Sequence, residues 1–246
     1  MTVAMLHLGR CGSTVLANQI GQHVDIWWDG EIYEEMFRGR IPETALVRDP
    51  FRLLRLRRLY AGARAYGIEV KFHPHYHLNT PVLDMTPGEC YRALREAGVT
   101  HFIVLERTNY LRQQISEEVG RQENRWHRKR EEAASLHQIE LDPDRVRFGG
   151  ARISLLDSFQ ERDENYARIR ELVCDAPSLW LTYEDDIRDD PRVGYRKAAD
   201  FLGFSPINTH IQKGRTNPFP VADMLRNYDA VASRLRGTSY EWMLDD

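Results

Sequence analysis

Cysteine is scarce in this sequence, with three among 246 residues. Cys11, Cys90 and Cys174 are scattered and odd in number, so they offer neither a disulfide framework nor a CxxC metal knuckle. An excess of one charge is also lacking. Thirty-four basic residues meet 37 acidic ones, for a formal net charge of −3. No global field advertises nucleic acid or an anionic membrane as partner, and anion binding must come from local sites. No window approaches the roughly 20 uninterrupted apolar residues of a membrane span. No basic run leads into an apolar stretch of signal-peptide length, and no internal repeat or low-complexity tract is visible. The expectation is a cytoplasmic protein without a membrane span. Its apolar content of 42% suits a single domain over residues 1–246.

What is present is an alternation of strand-like and helix-like stretches. Residues 2–8, 25–28, 67–72, 101–105 and 179–182 are short, apolar and β-leaning. Between them, 15–19, 50–66, 108–120, 158–173 and 192–202 have helical patterning, and 86–98 is a capped helix. There Thr86 stands at the N-cap, Pro87 in the first turn, Glu89 three residues after the cap and Gly98 at the stop. The charged segment 118–152 shows weak periodicity and is expected to be a solvated helix extension plus a mobile loop. The fold class expected is α/β, a P-loop-like three-layer fold with a central parallel sheet flanked by helices.

The turn between the first strand and the first helix reads Leu8-Gly9-Arg10-Cys11-Gly12-Ser13-Thr14. Such a turn aims backbone N–H groups and the positive end of a helix at an anion. Gly12 permits close approach, Ser13 and Thr14 add hydroxyls, and Arg10 adds a fixed positive charge. The turn is not GxxxxGK[ST]: Gly9 and Gly12 are too close together and no lysine precedes Ser13. A magnesium-nucleotide kinase needs that lysine. Sulfuryl transfer can do without it, because the group moved carries less negative charge than a phosphoryl group.

The stretch GRCGSTVLANQI resembles the 5'-phosphosulfate loop of sulfotransferases that use 3'-phosphoadenosine 5'-phosphosulfate (PAPS), especially bacterial carbohydrate and lipid sulfotransferases. IVLERTNYLRQQIS, residues 103–116, resembles their 3'-phosphate motif. The resemblance implies that Arg10, Cys11, Gly12, Ser13 and Thr14 form the 5' site and that Arg107 and Ser116 bind the 3'-phosphate. Relatives often carry a second basic residue where this chain has Thr108. They also close the site with a C-terminal basic loop, for which Gln212-Lys213-Gly214-Arg215 is the candidate. Looser similarities run through Tyr183-Glu184-Asp185-Asp186, Phe201-Leu202-Gly203 and the tail 212–242. On this resemblance the donor is PAPS and the product 3'-phosphoadenosine 5'-phosphate.

Transfer also needs a base to take the acceptor's proton. Glu31, in Gly30-Glu31-Ile32-Tyr33, resembles the acceptor-facing glutamate of these enzymes, with Asp29, Glu34 and Glu35 close by. His73, His75 and His77 alternate after the third strand, which invites a metal. Pro74 interrupts them and no cysteine or carboxylate completes a set, so no metal is expected. His75 and His77 stand as alternative bases lining the acceptor pocket, with Lys71 near the transferred group. Trp27, Trp28, Trp126 and Tyr76 could stack on a sugar ring. The reading is a sulfotransferase acting in line on the hydroxyl of a carbohydrate, glycolipid or other small molecule. Its rivals are a kinase with a degenerate loop and a non-catalytic adaptor for a phosphorylated ligand.

Overall fold

The structure, a computed structural model, describes residues 1–34, 49–78 and 83–245. They group into two compact units, Met1–Glu106 with Asn165–His210, and Arg107–Glu164 with Ile211–Asp246. In the first unit β1 (Thr2–His7) leads into α1 (Ser13–Ile20), β2 (Ile26–Trp28), α2 (Pro50–Tyr60), β3 (Ala65–Lys71), α3 (Pro87–Glu96) and β4 (His101–Glu106). The second unit begins at Arg107 and contains α4 (Tyr110–Gln122), β5 (Arg128–Lys129), β6 (Val146–Phe148) and β7 (Ala151–Ile153). The helix α5 (Leu155–Leu172) follows; the chain re-enters the first unit within it, at Asn165, and goes on to β8 (Ser178–Thr182), α6 (Tyr183–Asp186) and α7 (Arg192–Phe201). β9 (Lys213–Gly214), α8 (Val221–Met224), α9 (Tyr228–Leu235) and a 3-10 turn at Glu241–Leu244 complete the second unit.

Among the described residues the first unit holds a five-stranded parallel sheet in the order β2-β3-β1-β4-β8. β1 and β4 are wholly or almost wholly buried, as expected of parallel strands covered on both faces. Val3, Met5, Ile103 and Leu105 face a core shared with Leu16 and Ile20 of α1 and Tyr195 and Ala198 of α7. On the opposite face Tyr91 of α3 lies 5.2 Å, ring to ring, from Phe102. These are the three layers. The chain leaves β1 toward β2 on one side and β4 toward β8 on the other, so the crevice between β1 and β4 is the topological switch point where such sheets bind ligands. No helix among the described residues is long and apolar enough to cross a membrane.

The capping box on α3 forms, with Thr86 accepting from the Glu89 amide and Glu89 answering at the Thr86 amide. α2 ends six residues short of the expected 66, because Ala65 and Tyr66 are already paired with the sheet. In 118–152 the structure shows more order than expected. Val146–Phe148 pairs with Ala151–Ile153, and Ile139, Leu141, Val146 and Phe148 are buried. Single apolar residues spaced among charges bury well yet leave no periodic trace.

Candidate active site

The loop after β1 is wound left-handed. Gly9, Arg10 and Gly12 have φ of 84°, 52° and 84°. For Arg10 this is a strained conformation, and strain of this kind collects at ligand loops. Gly12 is the residue just before α1, and no side chain caps that helix. A Cβ on Gly12 would lie 2.7 Å from Ile187 and 3.0 Å from Tyr183, so the start of α6 packs directly on the turn. That explains the sequence at 182–186: Thr182 and Asp185 cap α6, while Asp186 accepts from the Thr182 amide and pairs with Lys197. Cys11 is buried in the core, with its side chain against His7. Below the loop, His7 is fully buried, and its Nδ1 accepts the Gly9 amide at 2.9 Å.

A charged cluster occupies the carboxyl end of the sheet where the apolar face gives out. The Asp29 and Glu69 amides extend the ladder between β2 and β3 through Gly67 and Gly30. This brings Glu31 against Lys71, whose ammonium lies 2.8 Å from Glu31 and 3.2 Å from Glu34. His77 accepts the Lys71 amide at Nδ1, so its Nε2–H donates to Glu34 at 3.0 Å, with Glu31 at 3.5 Å. His7 repeats the pattern. The Gly9 amide on Nδ1 leaves the ring proton on Nε2, which faces Glu69 at 3.5 Å; burial opposes a second proton, while Cys11 and Glu69 outweigh it and raise the His7 pKa. Glu69 in turn accepts from the Trp28 indole at 3.1 Å.

Burial acts to raise the Glu31 pKa, but the His77 hydrogen bond and the Lys71 charge outweigh it and hold Glu31 well below the usual carboxylate range. Burial likewise opposes ionisation of Glu34, and His77 and Lys71 again lower its pKa. Lys71 is raised in return: burial opposes its charge, and the two glutamates overcome that. Ligating atoms of His7, Glu31 and Glu69, and of Glu31, Glu34 and His77, lie within 4.8 Å of one another. Carboxylates thus do gather at His77, contrary to the expectation from the sequence, and the Lys71 ammonium already balances Glu31 and Glu34.

In the second unit Arg107 and Ser116 are both buried. α4 is capped by Asn109, which accepts the Arg112 amide at 2.9 Å and donates to the Met243 carbonyl. The helix buries Arg112, Gln113, Gln114 and Ser116, an unusual load of polar side chains. Arg162 of α5, fully buried, donates to Gln113 and Gln114 at 3.1 and 3.0 Å and to the Ser158 carbonyl. β9 pairs antiparallel with β5, aligning Lys213 with Lys129 and Gly214 with Arg128. The Arg128 guanidinium crosses Gly214 and donates to the Arg215 carbonyl at 2.8 Å. The expected basic loop is therefore a two-stranded basic ribbon.

With this geometry in hand the chain can be set beside known proteins. No protein-family model matches it, and no curated protein sequence does. The crystal structure of a sulfotransferase from Alicyclobacillus acidocaldarius matches with a TM-score of 0.51, over 94% of this chain and 90% of that one, at 14% identity. The chain has a sulfotransferase fold.

On that fold the first unit brings together Glu31, Glu34, Lys71 and His77, while the His75 ring lies tilted against His73 at 5.2 Å in the turn after β3. The alternation of the three histidines is not strand alternation, since β3 stops at Lys71. Glu35 lies outside the described residues. Trp28 packs on Gly67, Trp126 on Gly120, and Trp27 under the Arg64 guanidinium. Tyr76 lies edge-on to His73. Sequence reasoning missed His7 and Glu69. The signal was there: a carboxylate inside a buried apolar strand must have a partner, and the polar residue ending β1 is the nearest candidate.

Proposed function

We propose that the protein is a PAPS-dependent sulfotransferase, a single domain over residues 1–246, acting on a hydroxyl of a carbohydrate or glycolipid. The observation that carries the reading is the left-handed Gly9–Arg10–Gly12 turn at the head of α1, without a Walker lysine, beside a cluster of half-buried carboxylates, on a sulfotransferase fold. The donor set suits a phosphosulfate: a guanidinium, two hydroxyls and backbone amides, with no metal needed. Arg10, Cys11 through its backbone, Gly12, Ser13 and Thr14 hold the 5' side. Arg107 and Ser116 hold the 3'-phosphate, with Lys213 and Arg215 supplying further positive charge. When bound, PAPS supplies the sulfuryl group, and Arg10 stabilises charge growing on the leaving phosphate.

Glu31 takes the acceptor proton. Both nitrogens of His77 are engaged, which makes His77 the residue that orients Glu34, and Glu31 becomes a base as its 2.8 Å contact with Lys71 is given up. Lys71 keeps the base ionised, and His7 braces the loop. Incubation with labelled PAPS and a panel of sugars, glycolipids and phenols tests this. Transfer is expected to fall by about 10²–10⁴ in Glu31→Gln while binding of adenosine 3',5'-bisphosphate is kept. Full activity in that variant would remove Glu31 as base.

A further inference from the structure

The helix α2 has two apolar sides. Phe51 and Leu54 are buried in the unit, and Ala61 is buried just past the last turn. Leu56, Leu59 and Tyr60, spaced i, i+3, i+4 and therefore neighbours on one face, are 36%, 73% and 81% exposed. Arg52 and Arg55, also exposed, lie among them. Residues 49–64 carry Arg52, Arg55, Arg57, Arg58 and Arg64 against the single acid Asp49, in a chain whose formal net charge is −3. Positive charge is thus in local excess here.

The patch extends to the sheet edge. Trp27 of the edge strand β2 is 38% exposed, and the Arg64 guanidinium sits 4.5 Å above its ring. Trp27 pairs with Tyr66, whose hydroxyl donates to Asp29 at 2.8 Å, and Arg57 donates to the same carboxylate at 3.0 Å. Arg64, Trp27 and α2 therefore belong to one continuous surface.

We infer that this surface docks the protein on an anionic lipid bilayer, with Leu56, Leu59, Tyr60 and Trp27 entering the headgroup region and the arginines meeting lipid phosphates. A soluble polyanion would use the arginines and leave Leu59 and Tyr60 in water. A second copy in a two-fold contact would bring the same five-arginine patch of both copies together with only Asp49 on each to balance it. A bilayer uses both halves of the patch, as basic amphipathic helices with aromatic anchors do. The inference stands apart from the transfer chemistry. The segment that holds Arg57 through Asp29 also carries Glu31, so a lipid-borne acceptor would be met beside the docked face.

The test is cosedimentation of the full chain with vesicles of phosphatidylcholine alone and of phosphatidylcholine mixed with phosphatidylglycerol. Binding is expected only to the mixed vesicles and is expected to weaken with added salt. Arg52→Ala and Arg55→Ala should each lower affinity roughly fivefold. Leu59→Asp combined with Tyr60→Ser should abolish binding with the circular dichroism spectrum unchanged, and Tyr60→Ser alone should weaken it. Equal binding to both vesicles, or anionic binding indifferent to Leu59 and Tyr60, overturns the inference. So does self-association lost in Leu59→Asp, which would assign the face to a second copy, or binding to heparin without binding to vesicles.

Discussion

Replacing Lys71 by methionine keeps the stem of the side chain and removes only its charge, which isolates the electrostatic role of the cluster. At 2.8 Å from Glu31 the ammonium interacts by about 6 kcal/mol at an effective dielectric of ~20. Desolvation of the lysine and the partial exposure of both glutamates offset roughly half of this, leaving about 3 kcal/mol at neutral pH. The sign of the pH dependence follows from the directions of the shifts. Glu31 and Glu34 are lowered in the folded protein, so their stabilisation is full above the ordinary carboxylate pKa and is lost as pH falls through the lowered values. In Lys71→Met two carboxylates share a site without a cation, one of them is pushed up, and its protonation relieves the strain. The gap to the parent protein should therefore be about 3 kcal/mol at pH 7 and should narrow as pH falls through about 6 toward 5. Urea unfolding at a series of pH values measures it. A gap that stays constant over that range would mean the loss is one of packing, and the charge argument would be wrong.

Two further substitutions probe the turn before α1 and the buried polar side of α4 separately. Gly12→Ala puts a side chain at φ 84° and pushes it against Ile187 and Tyr183. Thermal unfolding should show about 2–4 kcal/mol lost, and a loss under ~0.5 kcal/mol would show that the loop relaxes freely. Arg162→Met removes donors from Gln113 and Gln114 and relieves a buried charge whose hydrogen-bond partners are neutral. The expected cost is about 2 kcal/mol, unchanged between pH 5 and 8. A pH-dependent cost would reveal a stranded carboxylate.

The parts of the fold legible in the sequence are those governed by short-range rules. The strands at 2–8 and 101–105 are continuous apolar runs, Thr86 and Glu89 form a local box, and the glycine turn needs only neighbouring residues. The candidate site was half legible. Glu31 could be nominated by its place after β2 and its family resemblance, and Lys71 and His77 by their places at and after the end of β3, yet their meeting depends on the β2–β3 register, which no local pattern encodes. His7 and Glu69 were hidden for the same reason: they sit on different strands and meet only across the sheet. Arg162 was invisible because its partners lie 48 and 49 residues away. In 118–152 isolated buried residues such as Ile139 and Phe148 gave no periodic signal to read.

Calorimetric titration with adenosine 3',5'-bisphosphate tests most directly whether this chain grips a doubly phosphorylated adenosine. Saturable binding to the parent protein is expected. Arg107→Ala should weaken it by roughly 10- to 100-fold, the worth of a charged hydrogen bond, and Gly12→Ala should weaken it as well. No heat of binding, or an affinity that Arg107→Ala leaves untouched, would contradict the account.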